Sequence, residues 1–92
     1  MSINRHAKRR DKTEPDVIKA LEQVGAQVWR LDTPCDLLVC FRRRWYLVEV
    51  KSPGGKLTEI QQELINKADA PVLVVQSGED ALKQISQDYG GN

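Results

Sequence analysis

The chain has 92 residues, of which 40% are hydrophobic and 29% charged, and its net charge at pH 7 is +1. That length suits one domain, close to the size at which small domains become marginal, so self-association would help it. No apolar run approaches a membrane span and no hydrophobic stretch follows the basic amino-terminal residues, so neither a spanning helix nor a secretory signal is expected and a soluble cytoplasmic protein is.

Residues 1 to 12 form a basic arm. Arg5, Lys8, Arg9, Arg10 and Lys12 stand against Asp11 for a net of +4, leaving −3 on the rest of the chain. The single domain then spans residues 13 to 89. Thr13-Glu14-Pro15-Asp16 predicts a helix start with Thr13 as the cap and Pro15 in the first turn, and Gly25 predicts its stop, giving a helix over about 14 to 24. Strands are expected at 27 to 31, 36 to 41 and 45 to 51, the last two joined through Arg42-Arg43-Arg44 as a hairpin. A second helix is expected from about Leu57 to Ala68, with Leu57, Gln61, Leu64, Ile65 and Ala68 inward. A strand at 71 to 76 follows, and then a helix capped by Ser77 with Asp80 behind it and Ala81, Leu82 and Ile85 inward. Residues 90 to 92 read as a fraying end.

The order αβββαβα implies an α/β domain with a mixed central sheet flanked by helices and a right-handed crossover into the last strand. Trp29 and Trp45 are assigned to the core. Cys35 and Cys40 lack a nearby histidine, the only one being His6, so neither a zinc site nor a disulfide framework is expected. Cys40 reads as a small core residue and Cys35 as partly exposed at the strand entrance.

The chemistry-bearing feature lies between residues 36 and 51. Side chains on a strand alternate between faces, so Leu47, Glu49 and Lys51 share one face while Tyr46, Val48 and Val50 share the other. Both faces begin apolar, and a carboxylate in such a strand costs several kcal/mol unless a partner or a metal neutralises it. Folding the hairpin tightly brings Asp36 within one or two residues of facing Glu49. Two carboxylates that close repel, and they favour a shared divalent cation; hard oxygen ligands suit Mg²⁺ or Mn²⁺. Lys51 stands on the same face, where an ammonium can orient a water or stabilise a phosphoryl transition state. Glu and Lys two apart on a strand are more commonly a solvated ion pair, so the apolar surroundings and Asp36 carry this reading.

Two further residues bear on it. Glu14, Ile18 and Leu21 share one helical stripe, which turns Glu14 inward, although position alone favours an acid complementing the helix dipole. Gln61 is the one amide in an otherwise apolar stripe, so it is hydrogen-bonded to neighbours or turned toward a site.

Glu14, Pro34-Cys35-Asp36-Leu37-Leu38-Val39, Val48-Glu49-Val50-Lys51-Ser52-Pro53-Gly54-Gly55-Lys56-Leu57, Gln61 and Pro71-Val72-Leu73-Val74-Val75 together resemble a stand-alone VRR-NUC domain. That family is the virus-type replication and repair nuclease branch of the PD-(D/E)xK, restriction-endonuclease-like superfamily. The resemblance runs from Glu14 to about Ile85. The family pattern has glycine, a variable residue, proline and then aspartate, whereas here Thr33-Pro34-Cys35-Asp36 lacks the glycine and inserts Cys35. Asp32 is therefore the alternative ligand, and Asp36 is preferred because it leads directly into the apolar strand.

The resemblance implies a metal-dependent, structure-selective DNA endonuclease of phage or prophage type, acting in a bacterial host cell. It implies a homodimer that cuts four-way (Holliday) junctions or related branched DNA. Asp36, Glu49 and the carbonyl of Val50 would hold Mg²⁺ or Mn²⁺, with Glu14 reaching it directly or through water. Lys51 would position the nucleophilic water, and Gln61 would brace Lys51 or the scissile phosphate. The arm residues, with Arg42, Arg43, Arg44 and Lys56, would contact phosphates, the competing reading of the arm being a solubilising tail. A non-catalytic nucleic-acid-binding module on the same fold is the alternative from another class. A sequence-specific restriction nuclease is a third, with no obvious insert for recognition. A dimer surface is sought on the helices holding Val17 and Leu21 or Leu82 and Ile85, although core packing is the simpler fate for each.

Overall fold

The computed structural model describes residues 11–90. Its elements run α1 (Glu14–Gln23), β1 (Gln27–Arg30), β2 (Leu37–Phe41), β3 (Arg44–Val50), α2 (Glu59–Lys67), β4 (Val72–Val75) and α3 (Gly78–Gly90). This is an α/β domain with a four-stranded mixed sheet and three helices. The strand order is β1-β2-β3-β4, with the first two pairings antiparallel and β3–β4 parallel. Tyr89 and Gly90, the former expected to end the domain and the latter to fray, both lie within α3.

Local chemistry explains most boundaries. After α1, Gly25 N–H donates to the carbonyl of Glu22 at 3.0 Å and Ala26 N–H to that of Leu21 at 3.0 Å. This is a Schellman stop, and Gly25 takes the positive φ of +92° that the motif demands. Thr13 precedes α1, but its side chain makes no cap hydrogen bond; its hydroxyl lies 3.3 Å from that of Ser52 instead. At α2 the first turn is closed by a capping box that the sequence reading did not identify. Gln61 N–H donates to Thr58 Oγ1 at 3.1 Å while Thr58 N–H donates to Gln61 Oε1 at 3.0 Å. Ser77 caps α3 as expected, accepting from Asp80 N–H at 3.0 Å.

The β2–β3 hairpin turns on two residues, Arg42 and Arg43, since Phe41 already pairs with Arg44. Both turn residues have positive φ, 50° and 72°. A two-residue hairpin loop needs such angles to match the strand twist, and the usual signal is Asn-Gly or Asp-Gly. Arginines adopt them here because the long pairing on either side leaves no slack.

The core lies on one face of the sheet. Leu37, Val39 and Phe41 of β2, Tyr46, Val48 and Val50 of β3, and Leu73 and Val75 of β4 pack with Val17, Leu21, Ala81 and Ile85 of α1 and α3. The two helices pack against each other, α3 also meeting β4 and α1 meeting β1. Their apolar stripes are thereby consumed, which removes the Val17–Leu21 and Leu82–Ile85 faces as dimer surfaces. The second face is covered unevenly. Leu38, Cys40, Leu47, Val72 and Val74 are half-buried, while Trp29 and Trp45 are 48% and 62% exposed. Both tryptophans were expected in the core, and alternation explains the difference. Trp29 faces Leu38 and Trp45 faces Cys40, so both rings stand on the side away from α1 and α3. The cysteines also exchange roles: Cys35 is buried at the strand entrance and Cys40 is half-buried on the second face.

Candidate metal centre

Pairing of Leu37 with Val48 sets the β2–β3 register, and one further step places Asp36 opposite Glu49. Both carboxylates are buried, at 3% and 1% exposure. They occupy the covered end of the second sheet face, just as β2 begins and β3 ends. Asp36 is pinned there: its Oδ2 accepts from the backbone N–H of Val50 at 2.7 Å, and its carbonyl accepts from Leu31 N–H at 2.8 Å. Asp32, the alternative ligand, is exposed. The peptide bond between Thr33 and Pro34 is cis, and Cys35 tucks inward between that turn and Asp36.

Lys51 comes to the same place. Its ammonium lies 3.3 Å from Glu49 Oε2, and its side chain is 22% exposed, so the pair is open to solvent on the lysine side only. The Lys51 N–H donates to the carbonyl of Val75 at 2.9 Å, extending the β3–β4 ladder by one residue and holding the lysine in register with Glu49.

Beyond Lys51 the chain is clasped by Asp11, a residue that composition alone assigned to the basic arm. Asp11 Oδ1 accepts from Thr13 N–H at 2.8 Å and from the Ser52 hydroxyl at 2.7 Å, and Oδ2 accepts from Ser52 N–H at 2.9 Å. Hydrogen bonds from the Thr13 backbone and then the Ser52 side chain hold the Asp11 carboxyl down to about 2. The sequence did carry a cue, since Asp-x-Thr is a pattern in which an aspartate accepts from the backbone two residues on. The clasp places the start of α1 beside the exit of β3.

Glu14, at that helix start, is fully buried, and its Oε2 lies 3.0 Å from Arg30 Nε of β1. Arg30 is thus the partner the sequence reading did not foresee. Gln61 is buried but spends its amide oxygen on the α2 cap, so only its NH₂ group is suited to reach a neighbouring group or a phosphate. Arg42, Arg43, Arg44 and Lys56 are exposed. The Arg42 guanidinium sits 5.1 Å from the centre of the Phe41 ring. Lys12 is exposed, whereas Arg5, Lys8, Arg9 and Arg10 lie outside the described residues.

Among the described residues no three His, Cys, Asp or Glu side chains gather as a metal-binding group. The arrangement is a facing pair, Asp36 and Glu49, with the backbone N–H of Val50, the residue after Glu49, bonded to Asp36. The hard oxygens of that pair match a magnesium- or manganese-type ion in chemistry, and Mg²⁺ commonly keeps several waters while bound through one or two carboxylates. No helix among the described residues is long and apolar enough to cross a membrane. No family model, curated protein or solved structure matches the chain.

Proposed function

We propose that this chain is a divalent-metal-dependent nuclease of the restriction-endonuclease-like type, hydrolysing phosphodiester bonds in branched DNA such as four-way junctions, and working as a homodimer. The observation that carries the reading is the buried Asp36–Glu49 pair with the Lys51 ammonium 3.3 Å from Glu49. The element order supports it, as does the resemblance of the segments around Asp36 and Glu49 to VRR-NUC domains.

Asp36, Glu49 and the Val50 carbonyl are the groups that would hold Mg²⁺ or Mn²⁺, which when bound supplies Lewis-acid polarisation of the phosphate and a more acidic water. The protein's own residues do the rest. Burial of two facing carboxylates makes their shared charge costly, so the pocket favours a cation. The Asp36–Val50 hydrogen bond sets one carboxylate oxygen in place before any ligand arrives. Lys51, half-open to solvent, is the group able to orient a water or meet the developing charge on a phosphoryl oxygen. Glu14 would act through water, its carboxylate being shared with Arg30. The Gln61 NH₂ would brace the phosphate.

A non-catalytic nucleic-acid-binding module is the second reading, favoured by two observations. Gln61 already serves a helix cap and Glu14 an ion pair, so each has a sufficient structural role. Incubation with four-way junction, flap, nicked and linear duplex DNA, with and without Mn²⁺, separates the two. Cleavage of branched substrates that requires Mn²⁺ and is lost in Asp36→Ala, Glu49→Ala and Lys51→Ala supports the nuclease. Binding with no cleavage under any of these conditions favours the module, and undiminished cleavage by Glu49→Ala would falsify the site.

A further inference from the structure

Lys51 is the group on which cleavage depends in the proposed reading, yet it stands one residue past the end of β3. A lysine has a long, rotatable stem, and where its ammonium points depends on how the backbone is held on either side. The strand side is fixed. Val50 N–H donates to Asp36 Oδ2 at 2.7 Å, and Lys51 N–H donates to the carbonyl of Val75 at 2.9 Å. On the other side the strand has ended, and the next residue, Ser52, is held by a distant part of the chain.

That part is Asp11. Its carboxylate accepts from Ser52 N–H at 2.9 Å, from the Ser52 hydroxyl at 2.7 Å and from Thr13 N–H at 2.8 Å, while its carbonyl accepts from Glu14 N–H at 3.0 Å. Capping the chain as it enters α1 needs only the local bond to Thr13; the two from Ser52 come from a residue 41 positions away. The grip continues beyond Ser52, whose carbonyl accepts from Gly55 N–H at 2.8 Å and closes a turn with Pro53 second and Gly54, at φ +88°, third. That turn folds back along the lysine, since a Cβ at Gly55 would meet Lys51 Cβ and Cδ at 3.7 Å. The Lys51 stem thus lies against a turn whose first residue Asp11 holds, and its ammonium lies 3.3 Å from Glu49 Oε2.

We propose that Asp11 is a positioning residue for the candidate metal centre: through Ser52 it aims the Lys51 ammonium at Glu49, and through its carbonyl it sets the start of α1, where Glu14 stands, beside the same end of the sheet. Its effect on cleavage rests on the nuclease reading, whereas the aim of Lys51 is a property of the fold. Every contact to the Asp11 carboxylate comes from a donor, and both oxygens are used. Asparagine in either orientation therefore turns an NH₂ group toward a backbone N–H, at Ser52 or at Thr13. Glutamate keeps two acceptor oxygens on a longer stem, and Ser52→Ala removes one of the two Ser52 bonds.

The test reads cleavage of branched DNA by the full chain with Mn²⁺ and saturating DNA, at a temperature where each variant is folded by circular dichroism. A displacement of about 1 Å at a reacting group costs on the order of 100-fold, so Asp11→Asn should lower the saturated rate about 10- to 100-fold and leave half-saturation by DNA unchanged. Ser52→Ala should fall less, and Asp11→Glu should recover part of the loss. The rise in melting temperature on adding Mn²⁺ should survive in all three, because strand register sets the Asp36–Glu49 pair. Gly25→Ala, destabilised at the far end of α1, should cleave at the wild-type rate. A wild-type rate in Asp11→Asn, an equal fall in Gly25→Ala, or loss of the Mn²⁺ response would overturn the inference. The lysine is also read directly by NMR with ¹³C-labelled lysine. The two Cε protons of Lys51, identified by their absence in Lys51→Arg, should be inequivalent in the wild type and merge in Asp11→Asn. Merging in a protein that cuts no DNA would keep the grip on Lys51 and reject the catalytic reading, whereas inequivalence that persists in Asp11→Asn would reject the grip whatever the activity. Should Asp11→Asn fail to fold, Ser52→Ala carries the same comparisons.

Discussion

Glu49 occupies a position where an apolar residue would pack more cheaply, and its burial beside Asp36 is the observation on which the proposed metal site rests. A cation bound by Asp36 and Glu49 in the folded state alone stabilises that state by mass action, by ~1.4 kcal/mol at ten times its dissociation constant. For a domain of this length that corresponds to a rise in Tm of about 6–11 °C. Mn²⁺ should therefore raise the melting temperature of the wild type measurably, Glu49→Gln should lose the response, and Lys51→Ala should keep it while losing cleavage. An equal rise in Glu49→Gln would place the ion elsewhere. Glu14 makes a different demand. Arg30 is half-exposed, so its ion pair with the buried Glu14 is discounted by solvent on one side. Arg30→Ala should cost about 1–3 kcal/mol in urea denaturation, and a loss below 0.5 kcal/mol (about the effect of an ordinary surface change) would make the pair ornamental.

Two glycines distinguish what a backbone needs from what packing needs. Gly25 has φ +92° and open space around the position of a Cβ, so Gly25→Ala is penalised by conformation alone, by about 1 kcal/mol. Gly78 has no such φ, but a Cβ there would sit 2.9 Å from Ala20 Cβ and from Asp16 O and Oδ2. That contact is where α3 starts against α1, with Gly78 N–H donating to Asp16 Oδ2 at 2.9 Å. Gly78→Ala should therefore cost more, about 1–3 kcal/mol or above, because α1 and α3 must separate. Chemical denaturation of the two variants side by side checks the order. The Asp11 clasp gives a prediction in pH. Its carboxyl is held at about 2 against an ordinary 3.8, so it contributes stability that is complete above the ordinary value and is lost as pH falls toward 2. Asp11→Asn should lower stability at neutral pH and flatten the acid limb between those values. A variant with the same acid limb as wild type would show that the clasp does not couple to folding.

Across the whole molecule, charge and assembly are read in solution. Deleting residues 1 to 10 removes Arg5, Lys8, Arg9 and Arg10 but leaves Asp11 and its clasp, so the fold should persist. If those four cations meet phosphates, the slope of log affinity against log salt should fall by up to about 3.6. An unchanged slope would return the arm to a solubilising role. A homodimer remains the proposed assembly, since a symmetric substrate cut on two strands suits two symmetric sites. Sedimentation at low micromolar concentration should give twice the 10.4 kDa chain mass. A 10.4 kDa species that still makes paired cuts would defeat it.

Periodicity and punctuation by themselves determined the element order, the stop at Gly25, the Ser77 cap and the adjacency of Asp36 to Glu49. Each of these is local, or follows from a short hairpin whose register a two-residue turn can set. What lay beyond them required the tertiary arrangement. A strand with apolar residues on both faces does not say which face the helices will cover, and only the packing of α1 and α3 on one side left Trp29 and Trp45 outside. Asp11's grip on Ser52 joins residues 41 apart, and Glu14's ion pair joins a helix to a strand 16 residues away. No spacing rule carries that information. The turn at Arg42 and Arg43 lacked its usual residues, so the long strand pairing beside it decided the backbone. The carboxylate pair and the lysine beside it were legible because they depend on neighbouring strands and on alternation, while the clasp at Asp11 and the partner of Glu14 depend on how distant segments fill the space around one sheet.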